Sequence, residues 1–390
     1  MSAFDVFVRQ FNHAPSVCAY APGRLEFIGN HVDYNGGLVL GAAIDRGIQS
    51  AVARRSDRKI RVVSPQFGSA LEADLDHLAP IKGADAWANY PLGVARSLAH
   101  NGCVFPAGFD LAIEGDLPPG AGLSSSAALE LSTAVALAGL FGFNPGPHNL
   151  ARWCRQAENE FVGMPCGILD QGVSAFGQAA RLVLIDCRAE TFSTVPMPDS
   201  GRFWVFNTGV KHALVDSLYA TRRRECEAAL QALRPYYPSA VLLADLSSSD
   251  IERRREHLSP EQYRRALHVT QEIERVQATT RALEQGNLVE VGRLLTASHQ
   301  SSRELFQNSC AELDFLVDHL VRLPGVYGAR LTGGGFGGAV MALTNPEYNM
   351  KSAGPVAVAY EKEFNHALAV FTARTGGGAR ILLRDRVNEG

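Results

Sequence analysis

Two glycines and three serines ahead of an apolar run carry the clearest chemistry in this chain of 390 residues. In PPGAGLSSSAALELSTAVALAGLF (Pro118 to Phe141), Gly120 and Gly122 remove side chains from a turn, so backbone N–H groups there can close on an anion. Ser124, Ser125 and Ser126 then place hydroxyls at the positive end of the helix that the alanine- and leucine-rich run predicts. FDLAIEGDLP (Phe109 to Pro118) in front of it reads as a strand running into the turn, and the whole reads as a phosphate cradle. The alternative is a plain Gly/Ser loop with Ser124 as the helix N-cap. A Walker loop is excluded because no Lys precedes the terminal serine, and the glycines lack dinucleotide spacing.

Three further segments concentrate polar side chains. In APGRLEFIGNHVDYNGG (Ala21 to Gly37), a strand over LEFIG points Arg24 and Glu26 to one face, and Asn30, His31 and Asp33 crowd the turn beyond it. That mixture of donors and acceptors suits a polyhydroxylated ligand, although a polar hairpin turn would use the same residues. In AENEFVGMPCGILDQGVSAFG (Ala157 to Gly177), Asp170 stands among apolar and small residues, with Glu158 near the end of a helix. An isolated carboxylate there needs a partner, for which Arg24 is the candidate; a helix-capping Asp170 and a surface Glu158 are the bland reading. GARLTGGGFGGAVMAL (Gly328 to Leu343) offers backbone without Cβ atoms, able to approach a phosphate or pack against the first glycine loop.

The elements that must position these groups follow from periodicity. Strand-like IQSAVARR and KIRVVS and a helix over YPLGVARSLAH precede the glycine–serine turn. A helix over HNLARWCRQAENEF and strands RLVLID and FWVFNT follow it; residues from Val215 to about Arg322 are mostly helical. Two packed α+β lobes are expected, residues 1–195 and 196–390, with no long linker. A net charge of -3 gives no reason to propose nucleic acid, and the runs Arg222–Arg224 and Arg253–Arg255 have glutamates beside them, as solvated helix faces do. Seven cysteines without a C-x-x-C pair suggest neither a disulfide framework nor a zinc site. No apolar run is long enough to span a bilayer and MSAFDVFVRQF has no continuous apolar core, so a cytoplasmic chain free of the membrane is expected.

Together the four segments resemble the galactokinases, a branch of the GHMP small-molecule kinases. GRLEFIGNHVDYNGG is similar to that family's signature GRVNLIGEHTDYNGG, and PPGAGLSSSAA to its phosphate motif PxxxGLGSSAA, with Ser124 in place of Gly as in galactokinases. AENEFVGMPCGILDQ resembles the segment carrying the family's catalytic Asp. FNTGVKHALVDSLYATRRRECEAA (Phe206 to Ala229) resembles its NTxVxHxLxxSxYxxRRxxCE stretch, and LTGGGFGG its third motif. The resemblance implies the GHMP fold, with the active site between an N-terminal α/β lobe and a C-terminal lobe with a ferredoxin-like core. It implies phosphorylation of a galactose-type sugar at its anomeric hydroxyl by ATP with Mg²⁺. Asp170 would face that hydroxyl as base or orienting acceptor, with Arg24 beside it. Gly120, Ala121, Gly122, Leu123, Ser124, Ser125 and Ser126 would hold ATP, Ser126 and Glu158 the Mg²⁺, and Asn30, His31, Asp33, Gly167 and Tyr219 the sugar.

One departure stands out: the usual signature has Asn and Glu where this chain has Glu26 and Asn30. The expectation is that Glu26 pairs with Arg24 on their shared strand face while Asn30 faces the sugar's C6 side. Kinases for N-acetylgalactosamine, galacturonate and arabinose therefore stay open as alternatives. Galactokinase-like regulators that bind sugar and ATP without turnover are a further class, but Ser125-Ser126-Ala127-Ala128 and Asp170 favour catalysis. Nothing in the sequence specifies an oligomer, and a monomer is expected.

Overall fold

The computed structural model describes the chain except residues 67–69, 119, 212–214 and 385–390. Pro119 of the glycine–serine segment and His212 to Leu214 of the Phe206–Ala229 stretch thus lie outside the described residues. After a capped N-terminal helix, α1 (Ala3–Phe11), come β1 (Val17–Ile28), β2 (Leu38–Arg54), β3 (Lys59–Val63), β4 (Ala70–Asp74), α2 (Asn89–His100) and β5 (Phe109–Gly115). Then follow α3 (Ser125–Phe141), α4 (Gly146–Ala157), α5 (Leu169–Phe176), β6 (Arg181–Asp186) and β7 (Thr191–Pro196). Among the described residues these strands build one sheet in the order β1-β2-β5-β3-β4, with β6 on the free half of β2 and β7 on β6. Every pairing is antiparallel except β3 with β5.

Residues 202 to 384 begin with β8 (Arg202–Lys211), continue through α6 (Val215–Leu233), α7 (Ser248–Arg253), α8 (Pro260–Glu284), α9 (Leu288–Ser301) and α10 (Ala311–Leu320), and reach the hairpin β9 (Val326–Thr332) and β10 (Gly337–Thr344). They end with α11 (Met350–Phe364), β11 (Ala369–Ala373) and β12 (Arg380–Arg384). The second sheet runs β11-β8-β10-β9, which is the strand order of a ferredoxin-like split βαβ unit. β12 instead returns to the first sheet and pairs with the start of β1, so the last part of the chain rejoins the first lobe.

Two features of this frame place the site. α3 is buried all round from Ala127 to Gly139, wedged against β1 and β2 with α2, α4 and α5 around it, which anchors the helix behind its more exposed first residues. β1 carries a register break at Pro22–Arg24. Before the break Val17, Ala19 and Ala21 enter the core under α2 and α3. After it Leu25 and Phe27 enter a different core, shared with Val205, Met341 and Leu343 of the second sheet. The extra residues at the break lie on β2, so the alternation of β1 continues and Arg24 and Glu26, opposite in phase to Leu25 and Phe27, line a cavity.

One surface expectation needs correction. Arg222 turns inward instead of lying on a solvated face, because its Nε and Nη2 donate to the carbonyls of Phe306 and Gln307 at 2.8 and 2.9 Å. Those carbonyls close the turn after α9 and would otherwise lack donors.

Candidate active site

The glycine–serine loop is shaped by backbone that bends the left-handed way. Gly120 and Gly122 have φ of +71° and +64°, and Ser124 follows at +53° before α3 begins at Ser125. Among the described residues no side chain caps α3, so its first N–H groups keep their hydrogen-bonding capacity for an anion. Ser124 is therefore not the conventional cap: its hydroxyl donates to Asp170 Oδ2 instead. The second glycine run packs on the first, since a Cβ on Gly333 would stand 3.4 Å from the Gly122 carbonyl oxygen.

Asp170 lies in the first turn of α5 and takes ligands on both oxygens. Arg24 donates to Oδ1 from Nε and Nη2, each at 2.8 Å, and its Nη1 reaches the Gly122 carbonyl at 2.6 Å. One guanidinium thus ties the strand, the phosphate loop and the carboxylate together, with charge-assisted bonds in fixed fork geometry. The expected pairing of Arg24 with Asp170 is present, across 146 residues of sequence.

A cavity of about 380 Å³ opens beside this pair. Arg24, Glu26, Asn30, His31, Asp33, Glu158, Gly167, Asp170 and Tyr219 all line it, with Met164, Pro165 and Cys166 supplying apolar wall. His31 Nε2 donates to the Gly334 carbonyl at 2.9 Å while Nδ1 accepts from the Tyr34 hydroxyl at 2.8 Å. Burial pushes its imidazole down to about 3, so it is neutral and serves as wall, packed on Tyr219 and Phe306. Asp33 is pushed up to about 6, first by burial and then by the charges of Glu26 and Asp170. Gly167 is needed for close approach: a Cβ there would fall 1.8 Å from Asp33 Oδ2.

Ser126 and Glu158 come together at the start of α3, the serine hydroxyl near enough to favour the ionised carboxylate. Burial raises Glu158, as does the nearby Asp170 charge. A hydroxyl and a carboxylate beside a phosphate loop are hard oxygen donors that fit a Mg²⁺ drawing its remaining ligands from phosphate and water. Behind them sits a buried group that reading the motifs missed. Gln171 Nε2 donates to Glu158 at 2.6 Å and to Glu130 at 3.0 Å, and Glu130, wholly enclosed in α3, is raised well above the usual carboxylate range by burial. Its signal was a lone carboxylate in a helix otherwise without charge.

Comparisons with known proteins show the family to which the chain is related. A model described as GHMP kinases N terminal domain matches residues 89–178, one described as Galactokinase galactose-binding signature matches residues 5–54, and GHMP kinases C terminal matches residues 279–354. A galactokinase from Chloroflexus aggregans is 41% identical over 344 residues, 88% of each chain. The chain belongs to the galactokinase family of GHMP kinases. A galactokinase from Roseiflexus sp. is 38% identical over 98% of this chain and 97% of its own. The crystal structure of Lactococcus lactis galactokinase complexed with galactose superposes with a TM-score of 0.92 at 31% identity, over 97% of this chain and 98% of that one.

Against the galactokinase signature, the exchanged pair behaves differently from expectation. Glu26 does not pair with Arg24; its Oε1 accepts from Arg330 Nη2 at 3.1 Å and from Asn30 Nδ2 at 2.8 Å. The reason is that Arg24 is already committed to Asp170 and Gly122, whereas β9 brings the fully buried Arg330 across β1. Burial holds the Glu26 carboxyl above its ordinary range, a shift that Arg330 and then Arg24 oppose in part. Among the described residues no helix is long and apolar enough to cross a membrane.

Proposed function

We propose that this protein transfers the γ-phosphoryl group of ATP to the C1 hydroxyl of galactose, giving galactose 1-phosphate and ADP. The observation that carries the reading is Asp170, held by Arg24 and Ser124 where the phosphate loop meets the polar cavity. The anomeric hydroxyl would approach Asp170, its oxygen would bond to the γ-phosphorus, its proton would pass to the carboxylate, and the bond to the bridging oxygen of ADP would break. Because the phosphoryl transition state is loose, the protein contributes chiefly position and charge neutralisation. Gly120 to Ser126 would hold the ATP phosphates on the open N–H groups of α3, and Arg24 would neutralise charge at the transferred group. Mg²⁺, held by Ser126 and Glu158, would offset phosphate charge when bound.

Asn30, His31, Asp33, Gly167 and Tyr219 belong to the wall of the sugar site, with Asp33 accepting from sugar hydroxyls, His31 and Tyr219 giving it shape, and Asn30 bonded within the protein. The cavity's acidity supports a neutral polyol: among the described residues, Glu26, Asp33, Glu158 and Asp170 face Arg24 as the single cation in its lining. An anionic sugar such as galacturonate would meet like charges there. Two lobes dividing near residue 195 and a cytoplasmic monomer, where ATP is at hand, complete the proposal. A coupled ADP-release assay over galactose, N-acetylgalactosamine, galacturonate and arabinose tests it, with NMR of the product. Phosphate at C6, or no sugar-dependent ADP, would overturn it.

A further inference from the structure

We infer that Glu26 contacts the substrate, its Oε2 accepting a hydrogen bond from one non-anomeric hydroxyl of the bound sugar and so setting specificity. The inference deepens the functional reading above and rests on it. Glu26 is 4% exposed, and what it exposes faces the cavity. Its Oε1 is held by Arg330 and Asn30, while Oε2 has no hydrogen-bond partner among the described residues. A carboxylate oxygen enclosed in a site and left unmatched marks a place where a ligand donor completes the bonding.

The carboxylate is also fixed in place. Arg330 is wholly buried and donates from Nη1 to the carbonyls of Glu26 and Phe27, both at 3.0 Å, as well as from Nη2 to the side chain. Backbone and carboxylate of residue 26 are clamped by one guanidinium, so Oε2 is preorganised.

Asn30, its neighbour in the cavity wall, has no spare capacity. Its Nδ2 gives one hydrogen to Glu26 and one to the Gly333 carbonyl at 2.9 Å. Its Oδ1 accepts from Asn308 Nδ2 at 2.7 Å and from Ser302 Oγ at 3.3 Å. An amide offers two donors and two acceptor sites, and all four are used inside the protein. Asn30 therefore orients Glu26, and the group left to read the sugar is the carboxylate. Asn30 as the reader of C6, the expectation from sequence, is replaced by this arrangement.

The test uses a property of hydroxyls. Oε2 can only accept, so it requires a donor; in Glu26→Gln the amide oxygen turns to Arg330 and Asn30, and the amide NH₂ faces the cavity as a donor. Fluorine and hydrogen cannot donate. We would measure kcat/KM for galactose and for its 2-, 3-, 4- and 6-deoxy and deoxyfluoro analogues with the wild-type protein and with Glu26→Gln, taking ratios so that inductive effects cancel. At one position the wild-type should penalise the fluoro analogue by about 10- to 100-fold, the range for losing a hydrogen bond to a charged group. In Glu26→Gln that penalty should shrink to within about threefold, the other positions keeping their ratios. Identical patterns in the two proteins would make Glu26 merely structural and overturn the inference. Should Glu26→Gln fail to fold, Glu26→Asn combined with Asn30→Glu keeps a carboxylate and an amide under Arg330, and the wild-type penalty should again change at that one position; an unchanged pattern refutes. A wild-type protein that turns over none of the sugars fails the functional reading itself, an outcome distinct from turnover without the coupling.

Discussion

Replacing Asp33 with Asn should stabilise the empty protein and weaken its grip on sugar, with a pH dependence that exposes the reasoning to failure. The Asp33 carboxyl is pushed up to about 6 in the fold against 3.8 for the free group. A carboxyl raised in this way contributes stability that is fully present below about 3.8, where folded and unfolded chains both hold the proton. It is lost as pH rises through about 6, because the fold then carries an ionised group it disfavours. The gap corresponds to about 3 kcal/mol at most, and solvent in the open cavity trims it to about 1 to 2 kcal/mol. With an unfolding entropy of about 2.1 cal/mol/K per residue, a chain of 390 residues changes by roughly 0.8 kcal/mol per degree. Asp33→Asn should therefore raise Tm by about 1 to 3 °C at neutral pH, and linkage makes the gain roughly double between pH 5 and pH 7.5. Paired melting curves across that range, without sugar, measure it. Loss of a charge-assisted acceptor should meanwhile raise KM for galactose by about 10- to 100-fold, a stability gain at a site selected for binding. A Tm difference that does not vary with pH, or a variant less stable than wild type at pH 7.5, would refute the assignment of Asp33 as a strained cavity carboxylate.

Asp170→Asn keeps shape but removes the proton acceptor, so kcat should fall by about 10² to 10⁴ while galactose affinity by calorimetry changes little; near-normal kcat would leave Asp170 a structural partner of Arg24. Gly167→Ala puts a Cβ 1.8 Å from Asp33 Oδ2 and must displace that carboxylate. KM for galactose should rise about tenfold or more, with a smaller change in kcat, and an unchanged KM would show that Asp33 does not hold sugar. Ser126→Ala and Glu158→Gln should each shift the Mg²⁺ titration of activity, and the Mg²⁺ dependence of nucleotide binding by calorimetry, to higher metal concentration; superimposable titrations for both remove the pair from the metal site.

What was legible in the sequence was local chemistry, and what was not was the choice of partner. Glycines at positive φ, serines at a helix start and a strand that alternates Arg24 and Glu26 against Leu25 and Phe27 are all properties of neighbouring residues, and they stand where periodicity places them. Ser124 already departs, because one left-handed residue sends its hydroxyl to Asp170 instead of back onto its helix. Glu26 departs further. Residues two apart on a strand face lie about 7 Å from each other, within reach for long side chains, so Arg24 is the natural partner on paper. The pairing fails because Arg24 is drawn to Asp170 and the loop carbonyl of Gly122, and because β9 lays a buried arginine across β1 from more than three hundred residues away. Opposite charges identify who needs a partner; only the crossing of sheets decides who supplies it. That crossing also sets the balance of the site. Carboxylates from β1, the turn after it, the end of α4 and the start of α5 converge on one cavity, and the guanidinium of Arg24 is spent on Asp170. An enclosure so rich in acceptors favours a ligand that brings donors without negative charge, which is the chemical description of a neutral sugar, and leaves the phosphate to the other side of Arg24, where α3 keeps its N–H groups open.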